Sequence, residues 1–128
     1  MKAILDTHAF LWWIVDSPQL SERVRDLLGD GDNEILFSAA SAWEIAVKCG
    51  LGKLDLEKTP DKFIPEQLRA NAFLPLPIEL SHALCVYNLP LHHRDPFDRI
   101  LVAQSILEGA ALVTRDEKLD LYDVETLW

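Results

Sequence analysis

The sequence has few of the features that stabilise secreted proteins or anchor proteins in membranes. It contains only two cysteines, Cys49 and Cys85, and neither has the spacing of a metal-binding pair. This scarcity argues against a disulfide-rich fold and against a zinc-thiolate site. The longest apolar stretch, residues 9–15, is much too short to span a bilayer, and no signal-peptide pattern follows Met1. We therefore predict reduced thiols, no membrane partner and a cytoplasmic location.

Basic residues are also scarce. The chain has 12 Lys and Arg residues against 21 Asp and Glu residues, which gives a formal net charge of -9. This balance argues against a protein that coats nucleic acid by neutralising phosphates. It does not exclude an enzyme that holds a nucleic acid through bound cations, and it favours a basic protein partner. The length of 128 residues and the hydrophobic content of 49% predict one domain spanning residues 1–128.

Short apolar runs alternate with helical segments along the chain. The apolar runs predict strands buried on both faces, at residues 3–6, 34–38, 73–78, 110–114 and 124–127. Pro75 and Pro77 confine the run at 73–78 to a sheet edge. Caps and apolar periodicity predict helices at residues 7–15, 21–29, 40–49, 79–87 and 96–107. A further helix is predicted to begin at residue 59, with an interruption or restart at Pro65. The alternation predicts an α/β fold, a three-layer α/β/α sandwich around a central parallel sheet of four to five strands.

The segment HHRDPFDRILVAQS, residues 92–105, contains the start of the last of these helices. Asp95 suits the N-cap, Pro96 suits the first helical position, and Asp98 occupies the third, where an acid favours the helix dipole. Simple capping explains Asp95 well. It leaves Asp98 ambiguous, because the helix is apolar on most of its circumference and is expected to be covered on both sides.

Four acids fall where the predicted strands end or where the following helices begin: Asp6, Glu44, Asp98 and Asp116. Ligands of parallel α/β sheets bind beyond the carboxyl ends of the strands, so these acids are expected near one edge. A cluster of like charges stays ionised only when a cation lies within it. Ligation by oxygen alone favours Mg²⁺ or Mn²⁺ over zinc.

Each of these acids also has a local explanation. Asp6 and Asp116 could cap the elements that follow them. Glu44 could form a capping box with Ser41, and its position four residues before Lys48 favours an ion pair. Each local explanation is sufficient for its own residue. Together, however, they require four acids to fall at one edge by coincidence, and the metal site is therefore the better interpretation.

The segments that carry the acids resemble the motifs of PIN-domain ribonucleases, and specifically of the VapC-like toxins of type II toxin–antitoxin systems. The similar segments are ILDTHAFLWW, SAASAWEIAVKCGLGKL, HHRDPFDRILVAQS and LVTRDEKL. The resemblance runs from residue 2 to about residue 124 and implies a PIN-like fold. It also implies an RNA substrate and a tightly bound antitoxin.

The resemblance implies a Mg²⁺-dependent endoribonuclease with one or two ions, in which Mn²⁺ could replace Mg²⁺. Its catalytic and metal-binding residues would be the four acids, with Asp6 and Asp98 as the chief ligands and Glu44 and Asp116 completing the site. In the third motif the family ligand matches Asp98 rather than Asp95. Thr114 is the hydroxyl residue that precedes the fourth acid.

Other polar and aromatic residues lie near the acids in sequence. Candidates for holding substrate phosphates, besides Thr114, are four cations, each of which could equally be solvated surface charge: Lys48, Arg94, Arg99 and Arg115. No histidine pair has helical metal-ligand spacing, so we interpret the four histidines as structural or peripheral: His8, His82, His92 and His93. We interpret Trp12, Trp13 and Trp43 as packing residues rather than base-stacking platforms.

The predicted first helix is apolar on nearly every side, from Ala9 to Val15, which is more than one sheet-facing stripe requires. The surplus face is expected to be covered by a second copy of the chain, as in a homodimer, or by an antitoxin helix with a basic end. The alternative is that the helices beginning near Ser21 and Thr59 cover it.

Two other functions remain open from the residues alone. The first is Mg²⁺-dependent phosphoryl transfer with Asp6 as the nucleophile, although no second acid closely follows Asp6 and no glycine-rich phosphate loop is present. The second is a non-catalytic module that binds a partner, which should tolerate loss of all four acids.

Overall fold

The computed structural model of the chain covers residues 1–128 and is built on one parallel sheet. Its five strands are β1 (Lys2–Leu5), β2 (Glu34–Ser38), β3 (Leu74–Leu76), β4 (Ala111–Val113) and β5 (Thr126–Leu127). Their order across the sheet is β3-β2-β1-β4-β5, and every neighbouring pair is parallel. The first strand therefore lies at the centre, between strands from the earlier and later parts of the chain.

Six α-helices flank the sheet: α1 (Thr7–Ile14), α2 (Glu22–Gly29), α3 (Ala39–Gly50), α4 (Pro60–Asn71), α5 (Leu80–Cys85) and α6 (Pro96–Glu108). Two short 3-10 helices follow α5 and β4, at Val86–Asn88 and Glu117–Leu121. The predicted parallel α/β fold is confirmed. The proline-containing strand β3 lies at the sheet edge, as Pro75 and Pro77 predicted.

Alternate residues of β1, β2 and β4 enter two separate cores, one on each face of the sheet. On β1, Ala3 and Leu5 pack into the first core, which includes buried residues of α1, α2, α3 and α4. Ile4 points to the second core, where it joins Leu101 and Val102 of α6. Because side chains alternate along a strand, a nearly continuous apolar run is required to fill both layers.

The helix α4 differs from its prediction. Pro65 lies inside it without an interruption or restart. A proline in a helix leaves the carbonyl four residues earlier without its usual donor, here that of Asp61. Both residues are exposed, so water can satisfy that carbonyl and the helix continues.

The outward aromatic residues of α1 are covered from within the chain. Trp13 Nε1 donates to Asn71 Oδ1 of α4 at 2.9 Å, and its ring packs beside Phe73. The Trp12 ring meets the Trp128 ring edge-on at 5.7 Å. The apolar circumference of α1 is thus explained by the chain's own residues and does not by itself require a partner.

None of the helices is both long enough and apolar enough to cross a membrane.

Candidate functional site at the carboxyl edge of the sheet

The strand order brings segments distant in sequence to one edge of the sheet. Asp6 directly follows β1, while α3 follows β2 directly and carries Glu44 in its second turn. Asp116 follows β4, the other neighbour of β1, and Asp98 lies in the first turn of α6. Because all strands are parallel, their carboxyl ends lie on the same side.

Asp6 is nearly inaccessible to solvent and is held by the backbone of its own turn. Its side chain is 6% exposed, and Oδ1 accepts a hydrogen bond from the Ala9 amide at 2.7 Å, which caps α1. Burial raises the pKa of Asp6 above its ordinary value, against the lowering effect of a hydrogen bond from Thr114 and of the Ala9 amide. The nearby charge of Glu44 raises it further. The local capping role and a place in the acid cluster therefore coexist.

Glu44 is buried at 7% exposure and has two partners. Its Oε1 accepts from Thr7 Oγ1 at 2.7 Å, and its Oε2 accepts from Lys48 Nζ at 2.6 Å. The expected ion pair with Lys48 is therefore present. The expected capping box with Ser41 is absent, because α3 begins three residues earlier, with Ser38 as its N-cap.

Asp98 occupies the third position of α6, and Asp95 is the N-cap, as predicted. Asp95 Oδ1 accepts from the amides of Phe97 and Asp98 at 2.9 and 3.1 Å. Burial, followed by the charge of Asp95, raises the pKa of Asp98 from 3.8 to about 6. The charge of Asp6 contributes in the same direction, while a hydrogen bond from His93 opposes the rise.

Asp116 is the most accessible of the four acids. It is exposed, and its Oδ1 accepts from the Lys118 amide at 3.0 Å, so that it caps the 3-10 helix after β4. Its own amide donates to Thr114 Oγ1 at 3.1 Å. The buried Thr114 hydroxyl also bonds the Asp6 carboxylate and so connects Asp116 to Asp6.

An open cavity of about 310 Å³ contains two of the acids. Its lining residues are Asp6, His8, Trp12, Arg115 and Asp116. The His8 side chain was interpreted as structural or peripheral, and its place in this cavity had no signal in the sequence beyond its closeness to Asp6. The cavity offers a route by which a ligand reaches the buried Asp6 carboxylate.

The carboxylate oxygens of the four acids are suitable ligands for a hard cation such as Mg²⁺. Burial and mutual repulsion disfavour the charged forms of Asp6 and Asp98, and a divalent ion would reverse this. The side chains are not arranged around one point, since no three His, Cys, Asp or Glu groups are placed to hold an ion together. Glu44 is instead neutralised by Lys48.

The candidate phosphate-binding cations have different surroundings. Arg99 is only 8% exposed and donates to the carbonyls of Val86, Leu89 and Pro90, so its guanidinium is bound inside the protein and is not available to a substrate. Lys48 is paired with Glu44.

The remaining two cations are exposed. Arg94 lines a different cavity, beside α5 and α6. Arg115 lies over the Trp12 ring at 5.7 Å and shares the cavity of Asp6 and Asp116. Of the candidate cations, Arg115 is the one whose position suits a phosphate near the acids.

Trp43 and Phe97 form an aromatic pair beside the acids. Trp43 was interpreted as a packing residue, but it is 56% exposed and meets the Phe97 ring edge-on at 5.0 Å. These rings belong to the residues directly before Glu44 and Asp98.

A family model described as PIN domain matches residues 3–125. The chain is similar to Ribonuclease VapC16 of Mycobacterium tuberculosis (strain ATCC 25618 / H37Rv), with 40% identity over 58 residues. That alignment covers 45% of this chain and 41% of the relative, less than half of the relative's length.

The fold is similar to several solved structures. A chain of VapBC2 from Rickettsia felis, bound to a DNA fragment from their promoter, matches with a TM-score of 0.75 and 17% identity, covering 100% of this chain and 99% of that chain. FitAcB from Neisseria gonorrhoeae matches with a TM-score of 0.61 and 20% identity, covering 98% and 96%. VapBC-1 from nontypeable Haemophilus influenzae matches with a TM-score of 0.63 and 16% identity, covering 99% and 97%. At these identities the likeness establishes the fold alone.

Proposed function

The chain belongs to the PIN domain family, and on that premise we propose that it is a metal-dependent endoribonuclease, the toxin of a toxin–antitoxin pair. The observation that carries the proposal is the position of Asp6 and Asp98 at one edge of the sheet, close enough for the charge of Asp6 to raise the pKa of Asp98. They come from the central strand and from α6, and burial together with the charge of neighbouring acids raises both pKa values. Such carboxylates are typical of sites that hold a cation. The name of the similar ribonuclease supports RNA as the substrate.

We assign the metal-binding and catalytic roles to the four acids of the edge. Asp6 and Asp98 would be the chief ligands of Mg²⁺ or Mn²⁺, with Glu44 and Asp116 completing the site directly or through water, around one or two ions. A bound ion supplies a water of lowered pKa and stabilises negative charge on the phosphate undergoing attack. The Thr114 hydroxyl and the Ala9 amide hold the Asp6 carboxylate in place.

The substrate would enter through the open cavity beside Asp6 and Asp116. Arg115 lies at its wall, where a guanidinium can bind a phosphate oxygen through two parallel hydrogen bonds. Positive charge at this point compensates in part for the net charge of -9, which repels RNA at longer range. The exposed Trp43 ring offers a face on which a base can stack.

The regulating partner would be a basic antitoxin. Solved structures of similar fold are named as VapBC and FitAcB assemblies, and the net charge of -9 favours association with a basic protein. A homodimer is a further proposal. It is supported by exposed apolar residues of α5, where Leu80 and Leu84 lie one turn apart and are 76% and 64% exposed.

The direct test is cleavage of single-stranded RNA by the purified protein with Mg²⁺, with Mn²⁺ and with a chelator. We expect Asp6→Asn and Asp98→Asn to abolish cleavage without loss of the folded state, which circular dichroism would check. Asp95→Asn is the matched control, because asparagine also caps helices, and it should keep most of the activity. Cleavage that persists in Asp98→Asn, or that ignores the chelator, would refute the assignment.

A further inference from the structure

A connected series of polar contacts runs from a buried arginine to the Asp98 carboxylate. Arg99 Nη1 lies 2.9 Å from Tyr122 Oη, and Tyr122 Oη lies 2.8 Å from His93 Nδ1. His93 Nε2 in turn lies 3.4 Å from Asp98 Oδ2. Arg99 and Tyr122 are 8% and 4% exposed, and the His93 side chain is 10% exposed. Solvent therefore has little access to any link of the series.

The donor and acceptor roles in this series follow from its first member. A guanidinium only donates, so the Tyr122 oxygen accepts from Arg99 and keeps its single hydrogen for another partner. That partner is His93 Nδ1, which must then accept. A neutral imidazole that accepts at Nδ1 carries its hydrogen on Nε2. His93 Nε2 therefore donates to Asp98 Oδ2.

The arginine that begins the series is fixed by the backbone. Arg99 Nη1 also donates to the Pro90 carbonyl at 2.9 Å, and Nη2 donates to the carbonyls of Val86 and Leu89 at 3.2 and 3.4 Å. These carbonyls belong to the connection between α5 and α6. A guanidinium with so many acceptors cannot turn away from Tyr122 without breaking these part-buried hydrogen bonds, which costs free energy.

We propose that Arg99, Tyr122 and His93 are positioning residues that orient the Asp98 carboxylate for the metal ion, a role that rests on the proposed function. His93, the last member of the series, contacts Oδ2 of Asp98, and Oδ1 accepts no hydrogen bond from the protein. Hydrogen bonds to a ligating carboxylate fix its rotamer before the ion arrives, and residues that act in this way typically contribute 10- to 100-fold to metal affinity. This assigns to Arg99 a role different from phosphate binding.

The adjacent histidine provides a matched control. His92 packs edge-on against the same Tyr122 ring, at 4.8 Å between ring centroids, but it makes no hydrogen bond to an acid. Calorimetric titration with Mn²⁺ would compare the wild type with His93→Ala, His92→Ala and Tyr122→Phe. We expect the dissociation constant to rise about 10- to 100-fold in His93→Ala, to rise less in Tyr122→Phe, and to stay unchanged in His92→Ala. His93→Gln, whose amide can donate, should recover part of the loss.

A second measurement needs no metal. Long-range ¹H–¹⁵N correlation spectra of the metal-free wild type, at a pH where an ordinary imidazole is neutral, should show His93 with its hydrogen on Nε2. Tyr122→Phe should show a mixture of both tautomers.

Each outcome decides between the two proposals. Hydrogen on Nδ1 in the wild type, or equal Mn²⁺ affinity in His93→Ala and His92→Ala, would overturn the positioning role and leave the metal site standing. Wild-type protein that binds no Mn²⁺, or that binds it equally well after Asp98→Asn, would overturn the metal site and the positioning role with it.

Discussion

Replacing Asp98 by asparagine should stabilise the metal-free protein at neutral pH, although it abolishes the proposed activity. Burial, and then the charges of Asp95 and Asp6, disfavour the ionised form of Asp98. Asparagine has nearly the same shape, carries no charge, and can still accept a hydrogen bond from His93 through its amide oxygen. The substitution therefore removes an electrostatic cost and keeps the packing.

The magnitude follows from the pKa of Asp98, which is raised from 3.8 to about 6. A carboxyl group whose pKa is higher in the folded than in the unfolded state stabilises the fold relative to its ionised form. This contribution is fully present at a pH below the unfolded-state pKa and is lost as the pH rises through the folded-state pKa. The difference between these pKa values, about 2, corresponds to about 3 kcal/mol at most. The Asp98 side chain is 21% exposed, so solvent screening lowers the expected difference to about 1 to 2 kcal/mol.

The assay is urea denaturation of the wild type and Asp98→Asn in a chelator, at a series of pH values. The variant should be no more stable than the wild type below about pH 4 and should exceed it by about 1 to 2 kcal/mol above about pH 6. Asp6 is present in both proteins, so comparing them isolates most of the effect of Asp98. Saturating Mg²⁺ should reverse the order, because only the wild type retains full affinity for the ion. A stability difference that does not change with pH, or a less stable variant at neutral pH, would refute the reasoning.

Three further predictions concern the metal, the substrate and the interior. Mg²⁺ at about a hundred times its dissociation constant should add roughly 2.7 kcal/mol to the free energy of unfolding of the wild type, and much less in Asp6→Asn; equal melting-temperature increases in both would remove Asp6 as a ligand. Arg115→Ala should raise KM for RNA more than it lowers kcat, and should reduce the salt dependence of binding by about one phosphate contact, whereas Lys62→Ala on the exposed face of α4 should change neither. Arg99→Leu should lower the free energy of unfolding by about 3 kcal/mol, because the buried Tyr122 hydroxyl and three part-buried carbonyls lose their shared donor. A loss no larger than that of the exposed Arg94→Leu, measured in urea, would contradict the buried role.

Much of the fold could be predicted because the signals for its elements are local. The apolar run at 34–38 needs no distant information, and it forms β2 over the same residues. The helix at 96–107 carries its own start signal in Asp95 and Pro96, and α6 begins there. The uninterrupted course of α4 could not be predicted, because it depends on the exposure of the Asp61 carbonyl rather than on Pro65 alone.

The candidate site divides in the same way. Parallel strand order predicted that the carboxyl ends of β1 and β4 share an edge, and the sheet has that order; the catalytic roles of the acids stay predictions. The burial of Arg99 could not be predicted from its neighbours in sequence, because its hydroxyl partner Tyr122 lies 23 positions away. The contact of His93 with Asp98 depends on the same tyrosine. Contacts between residues so far apart in the sequence produce no periodic pattern from which they could be predicted.

The central place of β1 has a consequence for protein synthesis. Its neighbours β2 and β4 come from early and late parts of the chain, and contacts between residues so far apart form slowly. While a ribosome is still translating the region before residue 111, β1 lacks one neighbour and Asp6 lacks Thr114. A nascent chain therefore cannot complete the acidic edge before β4 has emerged and docked. If the proposed nuclease activity needs this edge, the ribosome is not exposed to an active enzyme while the chain is still attached to it. Messages broken upstream of the β4 codons would give only fragments without this edge.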